Sequence, residues 1–230
     1  MSDKTKSKII SFLAAFLLIL GLMFLAAEPL QNLLVQRRST ETLTVTTSDI
    51  EQNLSYADGN FDFESVEEVT IADVLRAQLS DSKLPVIGSI AIPEVDLHLS
   101  ILKGLSNDNL LTGAGTMKQD QQMGQDNYAL ASHNMKDPTL LFAPLHKAEP
   151  GMKVYLTDAS NFYIYEITTH KIINPTEVSV IEDTDDALVT LITCNYEGDK
   201  RLLTQGRLLD TIPVDESEEI ASYFDLNESI

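Results

Sequence analysis

Val86-Ile87-Gly88-Ser89-Ile90-Ala91-Ile92-Pro93-Glu94-Val95-Asp96-Leu97-His98-Leu99-Ser100-Ile101 is where the chain turns to β structure. Residues 86–93 form a strand-like run closed by a proline. From there Val95, Leu97, Leu99 and Ile101 alternate with Asp96, His98 and Ser100. A period of two is what a strand with one buried face requires, and it points His98 toward solvent. Working outward, similar runs fall at 112–117, 128–132, 152–157, 162–173, 188–193 and 202–210, with a short helical turn over 137–142. Eight short strands separated by turn signals predict an all-β closed barrel or sandwich with short helices, over residues 82–212.

Upstream, residues 9–27 form a 19-residue run without a charge. As a helix it would be about 28 Å long, close to the thickness of a bilayer core. Lys4, Lys6 and Lys8 precede it, so residues 1–8 are expected in the cytoplasm and the rest outside; Arg37 and Arg38 on the far flank oppose that orientation. A cleaved signal peptide is the alternative, but its apolar core is normally shorter, and a cut after Ala27 would leave Leu25 at −3. An uncleaved single-pass transmembrane signal-anchor is therefore expected. Residues 28–81 are polar and weakly patterned, and they read as a stalk or linker with a helix over 66–79. Ser65 and Glu68 have capping-box spacing there, and Val66, Val69, Val74 and Leu75 could share a face. Residues 213–230 form an acidic C-terminal tail without a strand pattern.

The 230 residues carry a formal net charge of −19, and without the first eight the balance is 13 basic to 34 acidic. Such a surface repels phosphate backbones, which argues against nucleic-acid binding. The chemistry is carried by few residues. Cys194 is the only cysteine, so it forms no internal disulfide, and a structural metal site normally needs several soft ligands. It is either a buried small hydrophobe or a nucleophile. A nucleophilic thiol needs an imidazole partner, and there are four histidines. His98 lies on a polar strand phase, His146 in a turn-rich stretch beside Lys147, and His170 between polar neighbours. His133 instead ends an apolar strand before a loop, as Cys194 does, so the two could meet at one rim. A hairpin from 188–193 to 202–210 would hold Arg201 near Cys194, where a guanidinium could donate to an oxyanion. A turn cation facing Glu197 and Asp199 is the plain alternative for Arg201, and Arg207 competes for the role further along that strand. Asn134 is either an orienting partner of His133 or a turn residue.

Thr190-Leu191-Ile192-Thr193-Cys194 with Arg201 resembles the active-site signature of the sortases, with His133 preceding the cysteine by 61 residues. Class A sortases are resembled further in residues 88–93, 113–117, 127–133 and 151–157, so the likeness runs from about Pro85 to Leu209, with the N-terminal anchor in addition. The resemblance implies the eight-stranded sortase β-barrel. It implies Cys194 as nucleophile, His133 as general acid/base and Arg201 as oxyanion and substrate-positioning residue, with Ala131, Thr190 and Ile192 in the sorting-signal groove. It also implies the reaction: cleavage of an LPXTG-like motif between Thr and Gly in a secreted protein, then transfer through a thioacyl enzyme to a cell-wall amine such as lipid II. Some class A sortases bind calcium between two loops. Here Asp108, Asp120 and Asp126 in one region and Glu177, Glu182, Asp183 and Asp185 in another could in principle supply oxygens, but they lack a clear ligand spacing, so no cofactor or metal is expected, with calcium as the alternative. Competing identities are a tethered binding or scaffold domain, a thiol hydrolase, and a cysteine L,D-transpeptidase, whose His and Cys would be close in sequence.

Overall fold

In the computed structural model, the residues described are 3–41, 47–55, 60–61, 70–79 and 84–224. Eight strands close into a barrel in the order β1-β2-β3-β4-β7-β8-β6-β5. They are β1 (Val86–Ile92), β2 (Leu97–Leu102), β3 (Ala114–Thr116), β4 (Asn127–Ala131), β5 (Lys153–Thr157), β6 (Asn161–Ile173), β7 (Leu188–Cys194) and β8 (Arg201–Pro213). Closure leaves no open sheet edge. Two pairings are parallel, β2 with β3 and β4 with β7; the other six are antiparallel. The barrel interior is filled by Ile90, Ile92, Leu99, Ile101, Tyr128, Leu130, Val154, Leu156, Tyr165, Val189 and Leu191, all at most 4% exposed. The alternation read along β2 thus marks its inward face.

The outward phase of that strand is covered more than alternation alone implies. Ser100 is fully buried, and Gly113 packs so close that a Cβ there would lie 2.3 Å from the Ser100 carbonyl oxygen. His98 is half-buried rather than solvent-facing, with its ring edge 5.7 Å from the Phe224 ring. The cover comes from the acidic C-terminal segment, which folds back. Short helix α4 (Glu218–Ser222), capped by Ser217, seats Ile220, Ala221 and Phe224 on Ala91 and Phe162. Phe224 stacks on Phe162 at 5.6 Å. Sequence patterning does not reveal this, because three apolar residues among acids have no period long enough to read.

The N-terminal helix α1 spans Asp3–Glu41, so it continues well past the apolar run. Among the described residues, the stretch Ser11–Thr40 is the one helix long and apolar enough to cross a membrane. Its last turns dock on the domain instead of hanging free. Val35 is buried with Val74 and Ala77 of helix α3 (Ile71–Gln78). Gln78 donates to the Leu34 carbonyl at 3.0 Å. Arg38 Nε donates to Thr112 Oγ1 at 2.8 Å, its Nη1 donates to the Ala77 carbonyl, and it pairs with Asp108 at 3.6 Å. The capping box of α3 is built by Thr70 and Asp73; Ser65, Val66, Glu68 and Val69 lie outside the described residues. Between α1 and α3, helix α2 (Thr47–Leu54) is tied to β1 by Asn53, which donates to the Val86 carbonyl at 2.8 Å.

Removing the Phe224 ring opens a cavity between α4 and the barrel, which the exposed position of α4 lets water reach. Phe224→Ala is expected to lower unfolding free energy by about 3 kcal/mol in urea titration, with the denaturant slope unchanged.

Candidate active site

The pairing of β4 with β7 decides the site. Their register runs Asn127↔Leu188 to Ala131↔Ile192, and it continues past the strand ends. The Ser132 N–H donates to the Ile192 carbonyl at 3.3 Å, and Thr193 Oγ1 donates to the Ser132 carbonyl at 2.8 Å. Because the strands are parallel, both finish at the same rim. His133 and Cys194 each follow two residues after the last registered pair, so they arrive side by side despite 61 intervening residues. β8 runs antiparallel to β7, and its first residue, Arg201, lies opposite Cys194. Three neighbouring strands thus bring together the three residues singled out in the sequence.

The thiol is free and partly accessible. His133 is buried at 8% exposure, and its carbonyl accepts from the Phe142 N–H at 3.1 Å as the intervening loop returns. Burial pulls its imidazole from the ordinary 6.5 down to about 4, with the Asp73 carboxylate opposing. At neutral pH the ring is uncharged and ready to accept a proton. Asn134 does not sit in an isolated turn: its Nδ2 donates to the Asn195 carbonyl at 3.2 Å, joining the loop after His133 to the loop after Cys194. Asn195 closes that second loop, with Nδ2 donating to Glu197 and Asp199 at 2.8 Å each and Oδ1 accepting from the Lys200 N–H at 3.0 Å. Arg201 Nη1 donates to the Lys200 carbonyl at 3.2 Å.

A cavity of about 680 Å³ opens beside these residues. Ala131 and Ile192 line it with Cys194, His133 and Arg201. They also belong to an apolar cluster on the outer face of the β4–β7 sheet, with Ala129, Ile173 and Leu203 below and Val180 and Ile181 above. Thr190, expected in the groove, is fully buried and is not among the residues lining this cavity. Its hydroxyl donates to Asn127 Oδ1 at 2.6 Å and accepts from Gln205 Nε2 at 2.9 Å. Asn127 and Gln205 in turn donate to the Val180 carbonyl at 2.9 and 3.2 Å. Thr190 therefore helps fasten the turn over Val178–Ile181 down onto the sheet. The opposite wall was missed in the sequence. It is one face of α1, carrying Phe24, Ala27, Glu28, Gln31 and Asn32, with Glu28 paired to Lys136 at 3.6 Å. The spacing 24, 27, 28, 31, 32 is one helical stripe, a signal present in the sequence but hidden at the seam between apolar and polar stretches.

Among the described residues, no three His, Cys, Asp or Glu side chains are placed to hold a metal. The acidic loop before β7 is instead met by a side-chain cation, Lys118 pairing with Asp183.

A sortase domain matches residues 90–209, and the chain belongs to the sortase family. It is similar to sortase A of Listeria monocytogenes, 43% identical over 203 residues that cover 86% of this chain and 91% of that protein. It is similar also to sortase A of Streptococcus agalactiae, 41% identical over 208 residues covering 86% and 84%. The solved structure of Listeria monocytogenes sortase A superposes with a TM-score of 0.58 at 48% identity, covering 60% of this chain and 97% of that one. The chain is a cysteine transpeptidase of the cell-wall-sorting type.

His133 generates a pH prediction. Its folded value lies below its unfolded one, so between pH 6.5 and 4 the unfolded chain binds the proton that the folded chain refuses, and stability falls as pH falls. Across that window the wild type is expected to lose about 3 kcal/mol more than His133→Asn. Urea unfolding of both proteins at pH 7, 5.5 and 4.5 reads the difference.

Proposed function

We propose that this chain is a single-pass membrane protein that cleaves an LPXTG-like sorting signal between Thr and Gly and joins the new carboxyl end to a cell-wall precursor amine such as lipid II. The observation that carries this reading is the convergence of Cys194, His133 and Arg201 on one rim beside the cavity. As Cys194 Sγ attacks the Thr carbonyl carbon, the thiol proton passes to the neutral His133 ring. Arg201 donates to the oxygen that gains negative charge. The C–N bond to Gly then breaks, and the proton on His133 goes to the departing amine. The acceptor amine attacks the thioester and gives up a proton through His133, and Cys194 leaves as the thiol. The thioester retains the acyl group's reactivity, so no nucleotide is consumed. Ala131 and Ile192 offer the signal an apolar wall.

Residues 9–27 form the membrane span, with residues 1–8 in the cytoplasm and the barrel outside; the lysines before the apolar run and the docked end of α1 support that orientation. A hydrolase on the same site would cleave the peptide equally well and leave only a free acid.

The test incubates the detergent-solubilised full chain with a quenched LPXTG peptide, with and without a glycine-based amine. Wild type is expected to give the amine-ligated product. Cys194→Ala is expected to lose at least about 1,000-fold in rate, and Arg201→Lys, which keeps the charge but not the planar fork, about 100-fold in kcat. Hydrolysis alone at saturating amine would replace the transferase by the hydrolase; no cleavage of any motif variant by folded protein would leave a binding domain.

A further inference from the structure

The sequence sets His146 aside as a turn residue, yet the fold returns it to the site. It sits on the 3-10 turn Ala143–Lys147, whose Ala143, Pro144 and Leu145 are buried and make a rigid base. Its ring lies against the backbone carbonyl of Cys194, which favours the charged form. Nε2 is buried without a partner, which leaves Nδ1–H as the group that can donate to this carbonyl. The ring face stacks on Tyr196, centroids 3.8 Å apart at 20°. Tyr196 is 72% exposed, so burial does not hold its ring; the stack does.

These contacts act on one peptide plane. The Cys194 carbonyl faces the His146 ring, and on the other side of the same plane the Asn195 N–H donates to the Lys200 carbonyl at 3.1 Å. The next carbonyl, that of Asn195, is held by Asn134. Turning this plane changes the ψ angle of Cys194 and re-aims its Cα and side chain relative to His133 and Arg201. We propose that His146 is a positioning residue for the acyl transfer: it locks the Cys194–Asn195 peptide and, through Tyr196, the loop 195–200 that joins the nucleophile to Arg201. The role rests on the transpeptidase reading above. It needs the neutral ring, since Nε2 faces no acceptor. Burial favours that form, as does His170 nearby, while the Cys194 carbonyl and Glu197 favour the charged one.

The test compares wild type with His146→Phe, which can keep the stack without the donor, His146→Ala, which loses both, His146→Gln, whose amide restores a donor, and Tyr196→Ala. All are made in the full chain. Three quantities are read: kcat and KM for the sorting peptide, the rate of iodoacetamide modification of Cys194, and tryptic nicking after Lys200 located by mass spectrometry. His146→Phe is expected to lower kcat about 10-fold with KM within about twofold, and His146→Ala about 30-fold. His146→Gln is expected within about threefold of wild type. His146→Ala and Tyr196→Ala are expected to speed nicking after Lys200 while thermal midpoints stay within about 2 °C of wild type. A kcat within about twofold of wild type for both His146→Phe and His146→Ala would overturn the proposal. If wild type turns over no peptide, nicking and alkylation still decide. Rates altered in His146→Ala and restored in His146→Gln uphold the clamp and sink the transpeptidase; unaltered rates sink the clamp.

Discussion

The parallel pairing of β4 with β7 is the constraint on which the rest of this structure depends. Parallel neighbours need a long crossover, and here that crossover holds β5, β6 and the turns around them, which close the barrel. The same pairing puts two strand ends at one rim, so a histidine and a cysteine far apart in sequence are placed by backbone hydrogen bonds rather than by loop geometry. Strand ends are stiff, and stiffness is what an acyl-transfer site requires, because small errors in the approach of a nucleophile are costly. The contacts beyond the strands refine this placement. Thr193 to Ser132 and Asn134 to Asn195 stitch the two segments together where the ladder stops.

The polar network beneath the groove illustrates a different economy. Thr190, Asn127 and Gln205 lie on three adjacent strands and satisfy one another while offering amide hydrogens to the turn above. The Thr190 hydroxyl, the Asn127 amide and the Gln205 amide each find a partner within this group or in the turn, which is the condition for such a network to stabilise rather than weaken a sheet. The turn it holds carries Val180 and Ile181 against the floor of the cavity. A threonine in the signature stretch is therefore structural here, although its strand phase is that of Ile192 and Cys194, which border the cavity.

What was legible in the sequence was what depends on short range. All eight strands were readable within a few residues of their ends, because alternation and turn residues are local signals. Cys194, His133 and Arg201 were readable because each marks a strand end and because the motif around them resembles a family. What was not legible depends on contacts across the fold. His98 read as solvent-facing from its phase, and only the returning Phe224 covers it. Thr190 read as groove-lining only through the likeness to a family, and its bonds to Asn127 and Gln205 go with full burial. His146 carries no local mark at all, since its stack on Tyr196 joins residues 50 apart in sequence. The residues after the apolar run read as a spacer because their docking partners, Thr112, Asp108 and α3, lie elsewhere in the chain.

The wall that α1 gives the cavity bears on the bilayer itself. Phe24 and Ala27 belong to the apolar run, yet they border a cavity that Lys136, Glu197 and Arg201 also line, so in the proposed topology that last turn cannot lie deep among acyl chains. The apolar residues before it, 9–23, span only about 22 Å as a helix, against roughly 30 Å of hydrocarbon. Such hydrophobic mismatch is relieved by thinning the bilayer around a short helix. In that proposed topology the anchor would draw the barrel down onto the headgroups, with its cavity opening at the level where a lipid-linked amine would present itself.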